Sequence, residues 1–133
     1  HPPIPRPNQK RNPGKPDPDL NGQGKPRFLF VCGRNQWRSP TAERIYRNDP
    51  RVEVRSAGVA SSAKRRVSEK DLAWADLVLV MERKHAASIR KNFQNLPNLP
   101  PIYSLEIPDE YRFMDDELVR LLRERVEDKL FTT

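Results

Sequence analysis

At 133 residues the chain is long enough for one domain with a modest core and too short for two. Its net charge of +7 favours anionic partners without choosing between nucleic acid and phosphoprotein. One cysteine excludes an internal disulfide and a Cys-rich zinc site and suits a reducing, cytoplasmic setting; no apolar run approaches the ~20 residues of a membrane span.

No secretory signal is visible, and a first residue of His1 reads as a trimmed or processed start. Residues 1–26 hold eight prolines and only two large aliphatic residues, Ile4 and Leu20. Such a segment buries too little apolar surface to offset its ordering, which predicts a disordered or polyproline-like tail or linker. The domain is expected over 27–133.

Phe28-Leu29-Phe30-Val31 is continuously apolar, as in a central parallel strand covered on both faces. Ser39 is placed to cap the following helix, with Pro40 in its first position and Ala42, Ile45 and Tyr46 on one face. Val52 to Ser56 alternates, predicting a second strand that ends at Ala57-Gly58. Residues 61–70 are polar and basic, and read as loop plus a short helix. Leu77 to Met81 is another apolar run, hence an inner strand. Glu82 to Phe93 reads as a helix with a charged outer face, on which His85 is expected as an ordinary surface residue. The basic runs Lys64-Arg65-Arg66 and Arg90-Lys91 are expected as solvated faces. A proline-rich break at 95–101 precedes a short strand, Ile102 to Leu105. The last helix is expected over Asp115 to Leu130, with Val119, Leu122, Val126 and Leu130 on its apolar face.

Strand and helix alternate four times. This predicts an α/β fold, a three-layer α/β/α arrangement around a four-stranded parallel sheet. Ligands of such sheets sit beyond the C-terminal strand ends. Cys32 ends the first strand and Asp109 follows the last, so both fall on one sheet edge although 77 positions separate them.

The loop Gly33-Arg34-Asn35-Gln36-Trp37-Arg38 then invites a chemical reading. Backbone N–H groups at a helix start, helped by the helix dipole, can curl around an anion. Arg38 adds a planar two-pronged donor suited to phosphate. The same field would make Cys32 an ionised nucleophile. Ser39 can donate its hydroxyl to that sulfur, Asn35 tolerates the left-handed backbone of a tight cradle, and Gly33 leaves the first step of the loop bare.

Cys32 to Ser39, CGRNQWRS, resembles the Cys-x5-Arg-[Ser/Thr] signature of protein tyrosine phosphatases. With the preceding LFVC, the Asn three residues after the Cys and the trailing SPTAE, it is similar to the low-molecular-weight tyrosine phosphatase family in particular. Arg55-Ser-Ala-Gly58 resembles the family's second-strand ending, and Trp74 to Met81 its third strand. The resemblance covers roughly residues 27 to 130. It implies the phosphotyrosine protein phosphatase I-like fold and hydrolysis of a phosphomonoester, on a protein or a small molecule, through a cysteinyl-phosphate intermediate. It further implies a phosphate or sulfate ion held at the loop, no metal or cofactor, and a monomer. The family's Asp-Pro-Tyr loop is matched by Asp109-Glu110-Tyr111, with the proline displaced to Pro108. The general acid carries over to Asp109, with Glu110 its competitor, and an aromatic wall to Tyr111. Where relatives often carry a second loop cysteine, this chain has Trp37. Fewer residues between the second strand and the acid loop imply a shallower pocket rimmed by Arg34 and Trp37.

Three other readings stay open at this point. They are a glutathione-dependent arsenate reductase, a catalytically weak phosphate-binding module, and a basic RNA-binding domain, whose strands would need an aromatic stacking pattern this chain lacks.

Overall fold

The computed structural model describes residues 25–132; all but the last two residues of the proline-rich segment lie outside them. The described chain runs β1 (Arg27–Cys32), α1 (Arg38–Tyr46), β2 (Glu53–Gly58), α2 (Glu69–Trp74), β3 (Leu77–Val80), α3 (Arg83–Asn92), β4 (Ile102–Ser104), α4 (Asp116–Thr132). The strands form one sheet in the order β2-β1-β3-β4, every pairing parallel.

Past Arg27, both inner strands are apolar on every residue because each of their faces is covered. From β1, Phe28, Phe30 and Cys32 join one core with Ala42 and Tyr46 of α1 and Leu118, Leu122 and Val126 of α4. Leu29 and Val31 point the other way, into a core with Leu72, Ala86 and Ile89 of α2 and α3. The two-residue side-chain period of a strand thus sorts one apolar run into two cores. Leu77, Leu79 and Met81 likewise oppose Val78 and Val80.

The strand order sets the position of the site. After β1 the chain leaves through α1 on one face, and after β3 it leaves through α3 on the opposite face. The C-terminal ends of β1 and β3 are therefore a topological switch point, where a crevice opens between diverging connections. Backbone bonds from Leu105 to Val80 O and from Ile107 to Met81 O extend the ladder past β4 and carry Asp109 to the same edge.

Several expectations are corrected in detail. Helix α1 starts at Arg38, with Trp37 as its N-cap and no side-chain capping bond; the Ser39 hydroxyl is engaged elsewhere. Pro40 is tolerated two residues further in, as the third residue of the helix, because the first-turn N–H it lacks has no intrahelical acceptor anyway. Trp74 ends α2 instead of starting a strand, since Ser68 and Asp71 form a capping box that starts a helix there. The buried stripe of α4 begins at Leu118, while Val119 is only half-buried and the side chain of Leu130 lies outside those described. Arg65 is no free solvated cation: it bonds Ser56 O and pairs with the buried carboxylate of Asp71. Among the described residues no helix is long and apolar enough to cross a membrane.

Candidate active site

Cys32 is the last residue of β1 and 3% exposed. Five residues bring the chain to α1, and they turn tightly because Asn35 takes a φ of 54°. Asparagine accepts that left-handed conformation more readily than most residues, as the sequence suggested. Asn35 also organises the loop from within. Its Nδ2 donates to Ser39 Oγ at 3.1 Å and to Ser56 Oγ at 3.0 Å. Each hydroxyl oxygen thereby has its acceptor role filled and turns its own proton outward. Ser56 donates to Glu43 Oε1 at 2.6 Å. Ser39 Oγ lies 3.0 Å from Cys32 Sγ and 3.3 Å from Ala57 O, so the sulfur is the nearer acceptor. Two donor arms therefore diverge from the Asn35 amide, one through Ser56 to the Glu43 carboxylate and one through Ser39 to the thiol sulfur.

Among the described residues, the amides of 34–37 find no acceptor within the protein, and they precede the start of α1. An N–H cradle at a helix N-terminus is an anion site. Arg38 completes it. The guanidinium is buried, and its Nη1 donates to Glu82 Oε2 at 2.5 Å and Ile107 O at 2.7 Å. Its Nη2 stands 3.8 Å from Asp109 Oδ1. One edge of the fork is therefore fixed while the other faces the crevice.

The crevice is a cavity of about 390 Å³ lined by Cys32, Gly33, Arg34, Gln36, Trp37 and Arg38 of the loop, and by Val59, Lys84, His85, Ser88 and Asp109. Asn35 and Ser39 lie behind this wall, as supports. Asp109 is largely exposed at the mouth, whereas Glu110 is exposed outside the lining. Tyr111 is partly buried against the core that holds Phe28 and Phe30 and is not among the lining residues. The aromatic surface in the cavity is Trp37, whose ring carries the Arg112 guanidinium at 5.6 Å. Among the described residues no cluster of three or more His, Cys, Asp or Glu side chains is arranged to hold a metal ion.

Besides the lining residues Val59, Lys84 and Ser88, two residues that shape the site were not anticipated. Glu82 follows β3 and braces Arg38 from the opposite side of the switch point. Burial works against its ionisation, but the hydrogen bond and charge of Arg38 prevail and hold the carboxyl below the usual carboxylate range. The signal available was its place two residues beyond the last strand residue, Val80, at the sheet edge that holds Cys32. His85, expected on the surface, is 2% exposed. Its Nδ1 accepts the backbone N–H of Glu82 at 3.1 Å, closing the first turn of α3. Burial pushes its pKa down to about 4, and the Arg38 cation adds to the shift. The imidazole is thus neutral at pH 7, with its proton on Nε2.

No protein-family model and no curated protein sequence matches the chain. Solved structures do. The YwlE arginine phosphatase from Geobacillus stearothermophilus is 27% identical, with 80% of this chain and 93% of that one covered at a TM-score of 0.59. SP-PTP, a low molecular weight protein tyrosine phosphatase from Streptococcus pyogenes, is 17% identical, with coverage of 80% and 92% at a TM-score of 0.67. The tyrosine phosphatase Wzb from Escherichia coli K30, solved in complex with phosphate, is 23% identical, with coverage of 80% and 96% at a TM-score of 0.65.

Proposed function

We infer that this chain, which belongs to the low-molecular-weight protein tyrosine phosphatase family, is a cysteine-dependent phosphatase that removes the phosphoryl group from an aryl phosphomonoester such as phosphotyrosine on a protein. The observation that carries this reading is the convergence of Cys32, Arg38 and Asp109 on one cavity, with the carboxylate at its mouth and the sulfur at its base.

The chemistry runs in two steps. The Cys32 thiolate, its charge met by the Ser39 hydroxyl, attacks phosphorus in line. The P–O bond to the leaving group breaks, and Asp109 gives its proton to the departing oxygen. Arg38 and the loop amides hold the equatorial oxygens throughout. Water then attacks the cysteinyl phosphate and gives a proton to Asp109. Inorganic phosphate leaves and the thiolate is restored. Trp37 supplies an aromatic face for the leaving group, and Arg34 and Lys84 favour an acidic context around it. A lone thiol acting this way suits a reducing, cytoplasmic setting.

The neighbouring arginine phosphatases give a second substrate class, phosphoarginine, for which the same nucleophile and clamp serve and the leaving atom is nitrogen. Turnover of phosphotyrosine and phosphoarginine peptides by the wild-type chain, Cys32→Ser, Asp109→Ala and Glu110→Ala across pH tests both. Cys32→Ser is expected to be inactive, Asp109→Ala slowed about 10²- to 10⁴-fold with the acid limb of its profile changed, and Glu110→Ala near wild type. Full activity in Cys32→Ser sinks the covalent route. An unchanged profile in Asp109→Ala moves the acid elsewhere. Inertness to every phosphate ester, together with glutathione-dependent reduction of arsenate, replaces the hydrolase with a reductase.

A further inference from the structure

We propose that the Nε2–H of His85 is a substrate-binding donor of this site, hydrogen-bonded to an oxygen of the bound phosphoryl group. The inference rests on the phosphatase reading of the cavity and adds to it a ligand contact contributed by α3.

The imidazole is buried, yet among the described residues its Nε2 has no hydrogen-bond partner. Leaving a buried N–H unpaired is costly, so such a group calls for an acceptor that arrives from outside. The place it faces is specific. His85 lines the same cavity as Cys32 and Arg38. Its Nε2 lies 3.8 Å from the point where a Cβ on Gly33 would sit, and Gly33 directly follows the nucleophile. The nitrogen thus lies beside the loop that follows Cys32, within the cavity both residues line.

The ring cannot readily turn away. Its Nδ1 is held by the Glu82 N–H at 3.1 Å, and the Glu82 carboxylate holds Arg38. One short segment thus fixes both a cationic and a neutral donor toward the same anion. Neutrality has a use: the donor strengthens the grip on phosphate without adding a titrating charge beside the thiolate. The charged groups facing it are Arg38 on α1, Glu82 and Lys84 on its own turn, and Asp109 on the loop after β4. Sequence inspection alone does not reveal this role, because the residue falls in a helix whose neighbours Arg83 and Lys84 are exposed.

Two substitutions separate donation from structure. In His85→Asn the side-chain oxygen can replace Nδ1 as acceptor for Glu82, but nothing reaches the place of Nε2. In His85→Gln an amide N–H falls near that place. The probe is inorganic phosphate, with its binding read as inhibition of aryl phosphate turnover and by imidazole ¹⁵N signals of the full chain. Wild-type Nε2–H is expected to shift downfield and exchange more slowly as phosphate is added. His85→Asn is expected to weaken phosphate binding and raise KM by about 10- to 150-fold, the range for a hydrogen bond to a charged group, and His85→Gln to recover most of that. A wild-type Nε2 signal indifferent to bound phosphate overturns the inference. So does unaltered phosphate affinity in His85→Asn, or equal damage from both substitutions. If phosphate moves the Nε2 signal but no ester is turned over, the donor stands and the phosphatase reading falls. If phosphate does not bind at all, both fall.

Discussion

Arg38 Nη1 lies 2.5 Å from Glu82 Oε2, across the gap between the helix that follows β1 and the helix that follows β3. The pair is anchored at its cationic end, where the guanidinium side chain is 5% exposed, and more open at the carboxylate, at 28%. Its consequence is orientation. A guanidinium fork grips phosphate in two parallel bonds only when its plane is set beforehand, and Glu82 sets it together with Ile107 O. Glu82→Gln keeps the shape and removes the charge. It is expected to lower kcat/KM by about 10- to 100-fold, with the fold retained. Steady-state kinetics alongside a thermal melt check this; wild-type kinetics would show that Arg38 needs no brace.

The hydrogen-bond chain ending at Cys32 makes a different prediction. Ser39→Ala removes the hydroxyl from the sulfur, and Asn35→Ala removes the donor that turns the hydroxyl toward it. Both act on one chain, so their effects are not additive. Each is expected to cost about 10- to 100-fold in turnover, and the double variant little more than the worse single one. A double-mutant cycle on the rate of cysteinyl-phosphate formation measures the coupling. Additive losses would mean that the two residues act separately.

Gly58 ends β2 against the back of the loop. A Cβ there would lie 2.6 Å from Gly33 O, 2.7 Å from Ala63 Cβ and 2.8 Å from Asn35 N. Two of these are backbone atoms of the loop between Cys32 and Arg38, which cannot swing aside as a side-chain tip can. Gly58→Ala is expected to destabilise by about 1–3 kcal/mol and to lose most activity as the loop is displaced. Urea unfolding and turnover together test it; a stable and fully active variant would mean that the loop shifts without consequence.

His85 gives stability a dependence on pH. Its pKa falls from an ordinary 6.5 to about 4 on folding, chiefly through burial. Between those values the unfolded chain takes up the proton and the folded chain does not. The contribution is complete above pH 6.5 and is lost as pH drops toward 4. From pH 7.5 to 5 the unfolding free energy is expected to fall by about 2 kcal/mol. The carboxyls of Asp49, Glu82 and Glu127, all held low, lose their contributions only further down, below their unfolded values. Urea titrations at the two pH values check this. In His85→Asn the slope over that window is expected to flatten.

Much was legible in the order of residues alone, for reasons of local physics. Two unbroken apolar runs, Phe28 to Val31 and Leu77 to Val80, can only be inner strands, because a strand wet on one face would alternate. The six-residue step from Cys32 to Arg38 marked the loop, since strand, left-handed Asn35 and helix start follow each other without a gap. Strand alternation also placed Asp109 on the right edge. What sequence could not supply was direction and partnership. Whether His85 faces water or the cavity depends on how α3 is rotated about its axis, and that is set by packing on β1 and β3 through Ala86 and Ile89. Glu82 and Arg38 meet across 44 positions because β1 and β3 lie side by side in the sheet. The sequence by itself determined the loop between Cys32 and Arg38 and the layered α/β plan, both of which rest on neighbours along the chain. Only the tertiary structure decided what braces the clamp, which histidine nitrogen is left without a partner, and that Trp37 instead of Tyr111 lines the cavity, because each depends on which strand ends the sheet brings together.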